Sequence, residues 1–246
     1  HKTLTPQLWL NNFLGQWFGA APIIQDMYSY REHHMRHHGR TGTADDPDLR
    51  LAEGFPVSAA SLRRKLLRDI TGPTGLKAFI GSSLMLARFW VYNVSGETPE
   101  RYRPERSWLQ KTTEALIGLG PFLLTNLILF LTLNALASAW LYGLWVLAYF
   151  TMYSLVLRVR SIAEHAMTTD PEDALNNSRT TYGKWWERQL FAPLNVNYHL
   201  EHHMLPTVPF YQLPAMHKAL KEAGAFGQPA AIMSDYRTLL KQAASA

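Results

Sequence analysis

Residues 115–157 read ALIGLGPFLLTNLILFLTLNALASAWLYGLWVLAYFTMYSLVL, 43 positions from Ala115 to Leu157 without a charged side chain. A helix needs about 20 apolar residues to cross the hydrocarbon of a bilayer, so this run is long enough for two. It reads as a helical hairpin, with spans near Ala115–Leu133 and Ser138–Leu157 and a short uncharged turn near Asn134–Ala137. Pro121 falls early in the first span, where a bilayer helix can accommodate it. All 24 Lys and Arg residues lie outside the run. Among them, Arg31, Arg36, Arg40, Arg63, Arg64, Lys65, Arg101 and Arg103 come before it, and Arg158, Arg160, Arg179 and Arg188 after it. A chain that crosses and returns has both flanks on one face of the membrane, and the excess of basic residues makes that face cytoplasmic.

Working outward, Leu8–Ile24 is apolar with Trp9 and Trp17, but short and interrupted by Asn11, Asn12 and Gln16, which suits the interface. Ser58–Ile70 has a helix N-cap in Ser58. Leu62, Leu66 and Ile70 share one face, with Arg63, Arg64, Lys65 and Arg68 around it. Gly72 and Pro73 end it, and a basic helix of this kind suits an acidic lipid surface. Gly75–Val94 is apolar but broken by Lys77 and Arg88, so it lies along the interface or dips into the bilayer. Trp185 and Trp186 could anchor at the headgroups. Phe210–Ala223 and Ala231–Ala244 look like short helices of a cytoplasmic cap. The expected fold is all-α: an integral membrane helical domain with a cytoplasmic cap, a single domain over 1–246.

The 246 residues are 47% hydrophobic and 17% charged, with a mean hydropathy of −0.14, which fits a part-membrane, part-aqueous chain. There is no cysteine, which excludes disulfides, thiolate-ligated haem, iron–sulfur clusters and cysteine zinc sites. Any metal must be held by nitrogen and oxygen. The net charge of +5 suits nucleic acid or anionic lipid headgroups. The hairpin, and the absence of any nucleic-acid motif, favour lipid.

The ten histidines are clustered. His34-Met-Arg-His37-His38 and His199-Leu-Glu-His202-His203 share the pattern H-x-x-H-H, about 165 residues apart. Positions i, i+3 and i+4 share a helix face, so each box is expected to aim three imidazoles at one point. His1 and His165 extend the set to eight: His1, His34, His37, His38, His165, His199, His202 and His203. One tetrahedral metal takes about four ligands, so eight suit two metals. Zinc would support hydrolysis or structure, whereas iron on neutral imidazoles with open positions can activate oxygen and attack an unactivated C–H bond. The second ring nitrogens need acceptors, for which Asp45, Asp46, Asp48, Glu164, Asp170 and Glu201 are available. His33 points about 100° away from His34 on a helix, and His217 stands alone and reads as an ordinary surface or capping histidine. The aromatic stretch Trp140–Tyr153 reads as lipid-facing and core packing rather than a substrate channel.

These motifs resemble the membrane fatty acid desaturase superfamily, which also holds lipid and carotenoid hydroxylases and ketolases. The second family box matches His34, His37 and His38. The third matches Asn197-Tyr198-His199-Leu200-Glu201-His202-His203, continuing into Leu205-Pro206-Thr207-Val208-Pro209. The first would end at His1, which places an earlier histidine and a first pair of spans upstream. The likeness runs from His1 to about His217. It implies about four spans in the full protein, two of them in this chain, and two irons bound by the eight histidines. His165 matches a further family histidine after the fourth span, while Ser161 stands where some members have an asparagine ligand.

The resemblance implies an oxidoreductase that uses O2 to introduce a double bond into a lipid acyl chain. Electrons would come from a ferredoxin or cytochrome b5-like donor, because the chain has neither cysteines nor a haem-binding His-Pro-Gly-Gly segment. A lipid or carotenoid hydroxylase or ketolase is the alternative, since both outcomes need the same metal site. A zinc hydrolase and a metal transporter are weaker rivals. The latter calls for metal-binding residues within the spans, and Ala115–Leu157 offers only Asn and Thr.

Overall fold

The computed structural model describes residues 1–94, 100–227 and 230–246. In chain order the helices begin with α1 (Leu8–Leu14), which runs on through a π-helical turn (Gly15–Ala20) and a 3-10 turn (Ala21–Ile23). Then come α2 (Met27–Arg40), α3 (Leu49–Ala52), α4 (Ala59–Ile70), α5 (Pro73–Leu86), α6 (Trp108–Leu136), α7 (Trp140–Ala148) and α8 (Ser154–His165). A short strand β1 (Thr180–Thr181) precedes α9 (Trp185–Phe191), α10 (His199–Met204) and α11 (Leu213–Glu222). Strand β2 (Ile232–Met233) and α12 (Tyr236–Ala243) close the chain. The all-α expectation holds apart from β1 and β2, which pair in parallel.

Two helices are long and apolar enough to cross a membrane: Trp108–Leu136, and Trp140–His165, in which α7 and α8 are joined through a π-helical turn at Tyr149–Tyr153. At 1.5 Å per residue they reach about 44 and 39 Å, more than the roughly 30 Å of hydrocarbon. Both are longer than the apolar run implies. Ser107 caps α6 with a reciprocal bond to Gln110, which starts the helix seven residues before the uncharged stretch. Asn134 stays helical, so the turn is at 137–139. The second helix continues past Arg158 and ends on His165.

The chain divides into two compact units. One comprises 7–34 and 67–155. Here α5 lies close to its neighbours through glycine: a Cβ on Gly118 would sit 1.8 Å from the Leu86 carbonyl oxygen, and one on Gly75 2.1 Å from that of Phe150. With 14 residues, about 21 Å, α5 is too short to span, and the apolar segment at 75–94 ends as a helix at Leu86. The Asn126 side chain accepts from the Tyr142 hydroxyl (3.1 Å) and the Trp145 indole (3.2 Å) and donates to the Pro22 carbonyl (3.1 Å). This buried polar knot lies in the wall of a cavity of about 180 Å³, lined also by Phe79, Phe122, Tyr149 and Phe150. The aromatic stretch of α7 therefore has two faces. Trp140, Leu144 and Leu147 are exposed, as a lipid-facing surface requires, while Tyr142, Trp145 and Tyr149 line the cavity.

The other unit comprises 1–6, 35–66 and 156–246. Its core joins Leu62 of α4, Val159, Ile162 and Ala163 of α8, and Tyr236, Leu239 and Ala243 of α12. Ser58 caps α4 through the Ser61 amide, as its sequence implies, but the apolar face is used internally: Leu62 is buried and Leu66 packs on the same core. The segment from Ala231 is not helical at its start. Ile232 and Met233 pair with Thr180 and Thr181, and the Asp235 side chain then caps α12 by accepting from the Thr238 amide at 2.8 Å.

Candidate metal centre

Within this second unit, helix α8 delivers His165, the C-terminal half of α2 delivers His37 and His38, α10 delivers His199, His202 and His203, and the N-terminal segment delivers His1. The ring nitrogens fall into two groups, each within 4.8 Å of one another. His37, His165, His199 and His203 form one; His1, His38 and His202 belong to the other. The groups abut, the His38 and His203 rings stacking at 4.2 Å.

The two boxes are split rather than each converging on one point. In α10, His199 and His203 are four apart, only about 40° around the helix, and share a group. His202, about 60° to the other side of His199, goes to the second. In α2, His37 and His38 are neighbours about 100° apart and serve different groups. His34 lies one turn before His38 on the same helix. His33, 2% exposed, meets the Tyr92 ring edge-on at 5.9 Å and is in neither group.

The buried group has the donor set of a metal site. His37 Nδ1 donates to Asp46 Oδ1 at 2.7 Å, His203 Nδ1 donates to the Thr41 hydroxyl at 3.0 Å, and His165 Nδ1 faces the Asn177 carbonyl at 3.4 Å. The Thr41 hydroxyl in turn donates to the His37 carbonyl. A neutral imidazole with its proton on Nδ1 carries a lone pair on Nε2. The Nε2 atoms then confront one another: His37 to His165 at 3.1 Å, His165 to His199 at 2.9 Å, and His199 to His203 at 3.1 Å. Protons cannot satisfy this chain, because the His165 and His199 nitrogens each meet two partners and each offers one donor or one lone pair. A cation can. With metal–nitrogen bonds of about 2.1 Å, neighbouring ligands lie ~3.0–3.4 Å apart, a range close to these separations. In the other group, His38 and His202 Nε2 atoms lie 3.1 Å apart, with the His1 ring 4.6 Å from both rings.

Burial is the largest cause that lowers the pKa of His38 to about 3, of His202 to about 4, and those of His199 and His203 well below the usual value; repulsion from neighbouring rings follows for His38, His199 and His203, and the charge of the N-terminal amine for His202. These four imidazoles are thus neutral and able to ligate at neutral pH. Burial works against the Asp46 charge, but the His37 bond and charge and the Gly42 and Asp48 amides outweigh it and lower its pKa.

Of the six acidic residues read as ring orienters, Asp46 takes that role by a direct bond. Asp48 is 4.0 Å from His37 Nδ1, and Glu164, held by Arg160, is 3.9 Å from His199 Nδ1. Asp45 pairs with Arg40 at the surface, Asp170 accepts from the Glu172 amide, and Glu201 bonds His217. His217 is therefore no surface histidine: it is buried, at 8% exposure. The Ser161 hydroxyl donates back to the Leu157 carbonyl of its own helix. Sequence reasoning also missed Arg179, whose buried guanidinium donates to the carbonyls of Ile162, Ala163 and Ala166 at the end of α8 and so fixes the turn that presents His165. A polar cleft of about 220 Å³, lined by Asp46, Asp48, Glu53 and Asn177, reaches His37 and His165.

The chain combines two apolar helices of membrane-spanning length with two groups of imidazoles that could hold metal ions. The chain belongs to the fatty acid desaturase family: the family model described as fatty acid desaturase matches residues 1–234. It is 28% identical over 233 residues to a protein of Bradyrhizobium elkanii named dihydrorhizobitoxine desaturase, covering 90% of this chain and 60% of that relative.

Proposed function

We propose that this chain carries the catalytic centre of an O2-dependent membrane oxidoreductase that introduces a double bond into the fatty acyl chain of a lipid. The observation that carries this reading is the set of four Nε2 atoms facing one another, with the Nδ1 sides of His37, His203 and His165 turned to acceptors. Iron bound there, with positions left open, supplies the oxidising power to take hydrogen from an unactivated methylene. The reaction balances when –CH2–CH2–, O2, two electrons and two protons give –CH=CH– and two waters.

The chain's own residues fix the geometry. His37, His165, His199 and His203 would hold one iron, and Asp46 and Thr41 keep two of those rings in the ligating tautomer. His1, His38 and His202 would hold the other, joined by His34. The assignment of His34 rests on spacing: it stands to His38 on α2 as His199 stands to His203 on α10. The exposed apolar surface of α6, including Leu116, Ile117, Leu123 and Leu127, suits contact with lipid. Electrons would arrive from a ferredoxin or cytochrome b5-like protein on the basic cytoplasmic face, and such docking weakens with salt. The named activity of the Bradyrhizobium elkanii relative, a desaturase, supports double-bond formation over oxygen insertion.

The test is product analysis in a host expressing the full-length gene, with His202→Ala as control. A lipid acyl product lighter by two hydrogens, absent with the variant, is expected. A product heavier by one oxygen would make the enzyme a hydroxylase, and unchanged lipids would defeat the acyl reading.

A further inference from the structure

Glu201 sits in the middle of the third box, and its carboxylate is bonded to residues outside that box. Its side chain is fully buried, and both of its oxygens are taken. The Thr180 hydroxyl donates to Oε2 at 2.5 Å, and His217 Nδ1 donates to Oε1 at 2.5 Å. With Nδ1 donating, His217 Nε2 is the acceptor for the Tyr182 hydroxyl at 2.9 Å. All three donors thus point inward along one chain, Tyr182 to His217 to Glu201, with Thr180 closing the far side. The His217 ring is also gripped on its faces. Phe226 stacks on it at 5.1 Å, and Tyr198, the residue before His199, leans against it at 5.2 Å. The backbone repeats the connection: Thr180 bridges Tyr198, and the Thr181 amide donates to the Asn197 carbonyl at 3.0 Å.

We propose that His217 is a positioning residue of the metal centre: through Glu201, and together with Thr180, it fixes the rotation of α10 so that His199 and His203 face one metal while His202 faces the other. The inference rests on the two-metal reading of the preceding section. The reason for such a device is geometric. α10 has six residues, too few to hold its own orientation, and it must serve two groups at once. A rotation of a few tens of degrees would carry His202 toward the wrong group. A carboxylate bonded on both oxygens, on the side of the helix away from the ligands, stops that rotation. His217 contributes no ligand; it acts on the ligands through the helix.

The test uses the full-length protein, purified and freed of metal, and titrates it with Co2+ while recording the visible ligand-field spectrum and the thermal midpoint without metal. His217→Leu should weaken Co2+ binding by about 10- to 100-fold, the range for lost outer partners of metal ligands, and alter the spectrum. His217→Gln, whose amide can still donate to Glu201, should recover most of both. Tyr182→Phe removes one outer bond at a partly exposed residue and should weaken binding about two- to tenfold without loss of fold. Wild-type affinity and spectrum in His217→Leu, or equal impairment of His217→Leu and His217→Gln in step with their thermal midpoints, would overturn the proposal. Should His217→Leu fail to fold, unchanged Co2+ binding in Tyr182→Phe would overturn it. Failure of the two-metal reading shows separately, as an unsubstituted protein that takes up no Co2+.

Discussion

Asp46→Asn changes one atom and forces a choice on the buried imidazole group. Asp46 Oδ1 accepts from His37 Nδ1 at 2.7 Å and from the Asp48 amide at 2.8 Å, while Oδ2 accepts from the Gly42 amide at 2.8 Å. An asparagine has one acceptor oxygen. If that oxygen stays on His37, the new NH2 confronts the Gly42 N–H, donor against donor. If the amide flips, His37 must move its proton to Nε2 and loses the lone pair that faces His165, His199 and His203. The His37 and Asp46 side chains are 3% and 4% exposed, so water does not relieve either arrangement. A buried group left unsatisfied costs about 1–3 kcal/mol. Taken from metal binding, that is roughly 10- to 100-fold, in line with other outer partners of ligating histidines. Titration of metal-free full-length protein with Fe2+ under anaerobic conditions should show one bound equivalent weakened by that factor and the other little changed. Wild-type affinity for both equivalents would refute the role given to Asp46.

Gly118→Ala should lower the thermal midpoint in detergent, by the equivalent of about 1–3 kcal/mol or more, because its Cβ meets the Leu86 carbonyl; Gly81→Ala, with open space around it, should not. Arg179→Leu leaves carbonyls at the end of α8 without their donor, at about 1–3 kcal/mol each; melting should fall and iron content with it, and Arg179→Lys should restore only part. The metal-free protein should lose stability in acid. Unfolded imidazoles take up protons near pH 6.5, while folded His38 and His202 resist until about 3 and 4, so the stabilisation is complete above about 6.5 and drains away as the pH falls. Asp46, with its lowered pKa, acts in the same direction further down. A thermal midpoint that stays flat between pH 7 and pH 4 would contradict the neutral-imidazole description.

The hairpin was legible because 43 uncharged positions admit few other readings. Its true ends were not, because Gln110, Lys111 and Glu114 continue a helix that hydropathy cannot distinguish from a loop. The convergence of the box histidines was legible, but their division between two groups was not: it depends on how two helices approach, and spacing alone allows three rings to converge. The outer partners were mixed. Asp46, nine residues from His37, could be named among six acids but not chosen, and the Asn177 carbonyl and the Thr41 hydroxyl leave no signature in a sequence. His217 was misread because its partners, Glu201 and Tyr182, lie 16 and 35 residues away. The start of α12 was misplaced because strand pairing of Ile232 and Met233 with Thr180 and Thr181 overrides local helix preference.

Metal content tests the central claim most directly. Full-length protein purified from iron-replete cells, analysed by elemental mass spectrometry and Mössbauer spectroscopy, should hold about two irons per chain in nitrogen-rich, more-than-four-coordinate sites. A single tetrahedral zinc, or no bound metal after iron reconstitution, would contradict it.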